Sequence, residues 1–191
     1  MPILGVIASS KLGVVAGDFE SIATVSVGSG GSATVSFTSI PSTYTHLQIR
    51  CLTQDDRGTY PISEVKLNFN SDTGTNYSYH QLAGDGGSIY GYGFTSTSFI
   101  QLEIGGTTTG GTFGSMNIDV LDYANTNKYK TTRALCGEMT NASYAGYYGI
   151  VALNSGNWRS TSAITSITLA SRFATKFTQY SHFALYGIRS A

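Results

Sequence analysis

The sequence predicts an all-β protein, an antiparallel β-sandwich that is jelly-roll-like, with a simpler Greek-key sandwich as the second choice. Three observations predict it. Thirteen tyrosines, nine phenylalanines and 23 glycines in 191 residues are the residues of strands and tight turns. About ten short segments alternate apolar and polar side chains, separated by turn signals at sandwich spacing. No stretch carries a helical period, and no repeat marks a solenoid or propeller.

The elements follow in order. Residues 1–20 form an N-terminal arm and connector, and residues 21–191 the sandwich domain. The arm opens with the apolar run Met1-Pro2-Ile3-Leu4-Gly5-Val6-Ile7-Ala8. The run is short and has no basic residue before it, unlike a signal peptide. Ile3, Leu4, Val6 and Ile7 are instead candidates for docking on a neighbouring subunit. Lys11 to Phe19 is a glycine-spaced connector. Ile22 to Val27 alternates as a strand, Gly28-Ser29-Gly30-Gly31 is a turn, and Ala33 to Phe37 returns as the antiparallel partner of a hairpin. Ile40-Pro41-Ser42-Thr43 then breaks the pairing.

Tyr44 to Thr53 is the cleanest two-residue period. Leu47, Ile49 and Cys51 face the core. Tyr44, His46, Gln48 and Arg50 form an outer stripe, of which Tyr44, His46 and Arg50 are candidate subunit contacts. Gln54 to Gly58 is a polar loop in which Asp55 and Asp56 diverge. Glu64 to Asn70 is a strand with Val65, Leu67 and Phe69 inward, and Ser71 to Gly74 is a turn with glycine supplying the positive φ. Tyr77 to Leu82 resumes as strand. Gly84 to Phe94 is a long glycine–aromatic loop, whose Tyr90, Tyr92 and Phe94 suit interface contact or stacking on sugars. Further strands cover Ser98 to Ile104, Met116 to Tyr123, Lys130 to Thr140, Tyr144 to Leu153, Ile164 to Leu169 and Tyr180 to Ile188. Gly105 to Gly111 is a low-complexity turn. Asn154 to Ser160 is a loop carrying Trp158, the only tryptophan and a further candidate contact.

Composition narrows the function. Eleven basic and eleven acidic side chains give no net charge, and charged residues are 12 % of the chain. Nucleic-acid binding through clustered Lys and Arg is not indicated, and no apolar run approaches a membrane span. A neutral, charge-poor surface suits a subunit covered by partners. The chemistry is sparse. Cys51 and Cys136 read as buried free thiols. His46, His80 and His182 are scattered without the company a metal site needs. There is no G-x-S-x-G elbow, no glycine loop leading into a helix and no cofactor signature. The expectation is a non-enzyme.

Four blocks carry a resemblance: the N-terminal Met1 to Ser10, Ser39 to Arg50, Leu67 to Tyr77, and the closing Phe183-Ala184-Leu185-Tyr186-Gly187-Ile188. Together they resemble a family of small virion structural proteins of tailed bacteriophages, especially those of cyanobacteria and marine bacteria. The resemblance implies a place in the virion, assembled in the bacterial cytoplasm, and carries no catalytic residues. The leading expectation is a capsid decoration (cement) protein, a homotrimer bridging capsomers of the major capsid protein. The alternative is a tail fibre or baseplate-associated module touching tail proteins and host glycan. A secreted sugar-binding module is the third reading, disfavoured by the missing signal peptide and carboxylate pair.

Overall fold

The computed structural model describes residues 18–144 and 147–189. The described residues form twelve strands: β1 (Phe19–Ser26), β2 (Thr34–Phe37), β3 (His46–Asp55), β4 (Ile62–Phe69), β5 (Tyr77–Gly84), β6 (Ile89–Thr97), β7 (Ile100–Thr107), β8 (Gly114–Leu121), β9 (Lys130–Tyr144), β10 (Tyr147–Trp158), β11 (Ile167–Ser171) and β12 (His182–Ile188). They make a β-sandwich. The larger sheet, sheet A, has the order β1-β12-β3-β8-β9-β10-β5-β6, antiparallel throughout. The smaller, sheet B, has the order β2-β11-β4-β7 and is also antiparallel.

One strand belongs to both sheets. β3 pairs with β12 and β8 along most of its length, and its last residues leave to pair with β7 in parallel, Gln54 opposite Gly106 and Asp55 opposite Thr107. β7 then lies across β8, β9, β10 and β5. Gly156 makes that close approach possible, because a Cβ there would sit 2.6 Å from Ile100. The core fills from both sides: Leu47, Ile49, Met116, Ile118, Val120, Phe183 and Leu185 from sheet A meet Val35, Phe37, Val65, Leu67, Phe69, Ile100, Leu102, Ile167 and Leu169 from sheet B. Their alternation with exposed or half-buried neighbours is the two-residue period that the sequence displays.

Several local expectations are corrected. The hairpin of the first two strands does not form. β1 pairs with β12, and β2 crosses to sheet B to pair with β11. The glycine turn is real, with Gly31 N–H donating to Gly28 O at 3.0 Å. Turn chemistry fixes a bend, whereas the partner is chosen by burial. β2 covers the core with Val35 and Phe37, and β1 extends the sheet beside Phe183 and Leu185. The connector ends sooner than expected, since Phe19 already pairs with Ile188. Gly84 to Phe94 is a hairpin, not a loop: β6 begins at Ile89 and pairs along all of β5. Gly105 to Thr107 finish β7 rather than turn. The positive φ after β4 falls on Asn70 (50°) and Ser71 (56°), not on Gly74.

Trp158 is not in a loop. It is the last residue of β10 and is 3 % exposed. Its ring stacks on Tyr77 (6.3 Å between centres) and tilts against Phe69 (5.7 Å), while its indole N–H donates to Asp72 Oδ2 at 2.7 Å. Trp158→Ala should cost about 3–5 kcal/mol, seen as a lowered urea midpoint. Trp158→Phe should lose less, since it gives up mainly the bond to Asp72.

Candidate interaction surface

Strand register places each outward side chain on sheet A in a row. One row runs Thr24, Ala184, Arg50, Asn117, Leu135, Leu153, Leu82, Gly91 from β1 to β6. The next runs Ser26, His182, Leu52, Ser115, Gly137, Val151, Gly84, Ile89. Leu135, Leu153 and Leu82 are thus direct cross-strand neighbours, and Val151 lies beside them. These four are 56 %, 49 %, 52 % and 62 % exposed. Met139, Tyr148, Ile89 and Leu52 extend the exposed apolar surface. The result is a lane across β9, β10 and β5 whose two rows carry no charged side chain on those strands, with Arg133 and Asp85 at its edges.

Glycine gives the lane relief. Gly84 and Gly137 flank Val151 in register, and a Cβ on Gly137 would meet nothing within 4 Å. A hollow of about 530 Å³ opens there, lined by Gly84, Phe113, Gly137, Met139, Tyr148 and Val151 among others. A second, of about 500 Å³, lies beside Leu82, Leu121, Arg133 and Leu153. Isolated exposed apolar residues are ordinary, but a contiguous apolar patch marks a contact site.

The stripe on β3 lies one strand away from this lane, across β8, and is held by its neighbours. The Tyr44 hydroxyl donates to Glu20 Oε2 at 2.8 Å, which with burial raises its pKa. Its ring packs where Gly187 has no Cβ. His46 Nδ1 accepts the Asp122 N–H at 2.9 Å and lies 3.5 Å from the Asp122 carboxylate. Arg50 donates to Gln48 Oε1 at 2.9 Å and lies 5.1 Å over Phe19 and 5.6 Å over Tyr186. Gln48 and Arg133 both reach Asp119. His46 and Arg50 therefore line the polar side of this face, whereas Tyr44, against expectation, is on the core side, packed where Gly187 of the inward Leu47 row lacks a Cβ.

The remaining sequence candidates lie elsewhere. Tyr90 and Tyr92 pack against the edge of the core, and Tyr92 Oη accepts from Gln101 Nε2 at 2.9 Å. Phe94 covers Tyr79 (5.5 Å) and stays half exposed. Trp158 is buried. The structure does not gather these four into one aromatic patch. Ile3, Leu4, Val6 and Ile7 lie outside the described residues. The leucine lane was missed, although its signal was visible: in Ile150-Val151-Ala152-Leu153 both alternating sets are apolar, which marks a strand covered on both faces.

Catalytic chemistry finds little support. Among the described residues no group of three or more His, Cys, Asp or Glu could hold a metal. Asp55 is buried rather than solvated, against the loop expected. Ser171 Oγ donates to its Oδ2 at 2.6 Å and Arg57 N–H to its Oδ1 at 3.1 Å. Sealed at 1 % exposure, it cannot meet a substrate. Cys51 and Cys136 are free buried thiols, and burial holds the Cys51 thiol well above its usual range. Each lies beside Met116 in register, so two strand spacings, roughly 9.6 Å, separate them, too far for a disulfide. No helix among the described residues is long and apolar enough to cross a membrane.

No family model matches the chain, and neither the curated proteins nor the solved structures compared with it give a match.

Among the described residues, Glu138 is an acid displaced strongly by burial. Thr112 Oγ donates to its Oε1 at 3.0 Å, but its Oε2 is buried without a partner. Burial pushes its pKa up to about 7, reinforced by the negative charge of Asp55 and opposed by the Thr112 bond. The folded state therefore holds a proton that the unfolded chain has released, and stability falls as pH rises from the ordinary carboxyl range to about 7. Glu138→Gln should flatten that fall and raise the melting temperature at about pH 8 more than at about pH 5.5, as thermal melts across the range would show.

Proposed function

We propose that this protein is a structural subunit of a tailed-phage particle, a decoration protein that reinforces the head shell through subunit contacts. The observation that carries the structural part of the reading is the leucine lane, an apolar face left open on a charge-poor sandwich. Burying such a face against a partner yields free energy roughly in proportion to the apolar area removed from water. It asks for no titrating group and no cofactor. The resemblance of the four sequence blocks to virion proteins supplies the particle, and the decoration role places the partner in the shell. A self-associated form, with a trimer as the expected state, presents several copies of the shell-binding surface at once, which multiplies weak contacts into firm attachment.

The glycan-binding alternative rests on aromatic loops. The expected loops are strands, and Trp158 is sealed in the core. No observation now favours that reading over subunit contact.

Two measurements test the proposal. Sedimentation analysis of the full chain should show self-association that Leu153→Glu weakens by about a hundredfold or more, because a charge would be forced into an apolar contact. The variant should keep the unfolding free energy of the subunit, from urea melts, within about 0.5 kcal/mol, since Leu153 points away from the core. Electron cryo-microscopy of particles should place the protein on the head, and density confined to the tail would overturn the decoration role.

A further inference from the structure

We propose that the leucine lane of sheet A is the docking site for the segment Ile3–Ile7 of a neighbouring copy of this chain. The inference rests on the assembly reading above and names its occupant.

The chain outside the described residues supplies the argument. Residues 1–17 precede Asp18, and their only charged side chain is Lys11. Ile3, Leu4, Val6 and Ile7 are apolar and closely spaced. The lane is apolar in the same way, carrying Leu82, Leu135, Val151 and Leu153 with glycine on either side of Val151. An extended segment from Ile3 to Ile7 would span about 13 Å, against the roughly 10 Å between β9 and β5. With Ile3 and Ile7 on one side and Gly5 between them, the segment can seat two branched side chains in the relief around Val151.

The direction of the chain selects a neighbour over the same molecule. Asp18 O accepts the Arg189 N–H at 2.9 Å, so the β1–β12 pairing continues back through Asp18. From Phe19, β1 runs toward Ser26, whose row contains Val151 and Gly84, so Asp18 stands at the end of β1 away from that row. To reach its own lane the arm would have to reverse and then cross four to six strand spacings, roughly 19–29 Å. Exchange of such arms among copies ties subunits together without covalent bonds.

A photo-crosslinking residue placed at position 7 of the full chain, Ile7→benzoylphenylalanine, tests the assignment in a mixture of isotopically heavy and light protein. The expected result is heavy–light crosslinks to peptides containing residues 133–139 or 149–155. Crosslinks confined within one chain, or to any other surface, overturn it. A second arm uses Ile3→Ser/Ile7→Ser. It should weaken self-association by about tenfold or more while leaving the urea midpoint unchanged. If Leu153→Glu dissociates the oligomer and the arm variant does not, the assembly reading stands and this occupant is wrong. If the native chain is monomeric at every concentration and neither variant changes that, both readings fall.

Discussion

The fold depends on one departure, that of β3 from sheet A at Gln54. Until Thr53 the strand is an interior member of the larger sheet. Two residues later it is hydrogen-bonded to β7 in the smaller one. That step brings the Asp55 carboxyl into the interior, where an unpaired charge would be costly. Ser171 at the end of β11 and the Arg57 N–H supply the compensating hydrogen bonds, and Ser63 on β4 lies 3.4 Å from Ser171. One buried acid thus links strands of both sheets. Phe177 bridges to the same residue and packs edge-on against Phe183 of sheet A. Burial raises the Asp55 pKa despite the two serines and the backbone bond, so the junction is stabilised by hydrogen bonds more than by charge.

The far end of the sandwich is tied in a similar way. Lys130 is fully buried, and its Nζ donates to the carbonyls of Asn125, Lys128 and Thr161 at 2.6, 3.0 and 3.1 Å. Those carbonyls come from the turn before β9 and the segment after β10. A cation that satisfies three acceptors at once fixes two loops against each other, and burial lowers its pKa accordingly. With both ends fastened by buried polar groups, the faces of the sheets are free to be apolar. Sheet A uses that freedom on its inner face for the core and on its outer face for the leucine lane. The second use adds nothing to the isolated subunit, and it is what makes the lane informative about partners.

Much of this was legible in the chain. The inward sets of β3, β4 and β8 could be read directly, because a half-buried antiparallel strand writes its orientation into every second residue. Leu47, Ile49, Val65, Leu67, Phe69, Met116, Ile118 and Val120 are all buried as that period requires. β6 was hidden because glycine occupies its outward positions 91 and 93 and serves a strand where glycine usually signals a turn. Trp158 was misplaced because its Asn-Ser-Gly-Asn lead-in resembles a loop, although Gly156 is there to admit β7. The polar stripe was legible as a face, but the leucine lane beside it needed the register of β5, β9 and β10.

The sequence by itself determined the class of fold, the inward face of most strands, the two free thiols and the poverty of charge. These are local properties, carried by composition and by a period of two. Tertiary structure alone decided which strand pairs with which, that β1 and β2 part company, that Asp55 goes inside, and that leucines eighteen or more residues apart in the chain stand side by side. Pairing is settled by which arrangement closes the whole core and satisfies every buried polar group. No window of adjacent residues contains that information.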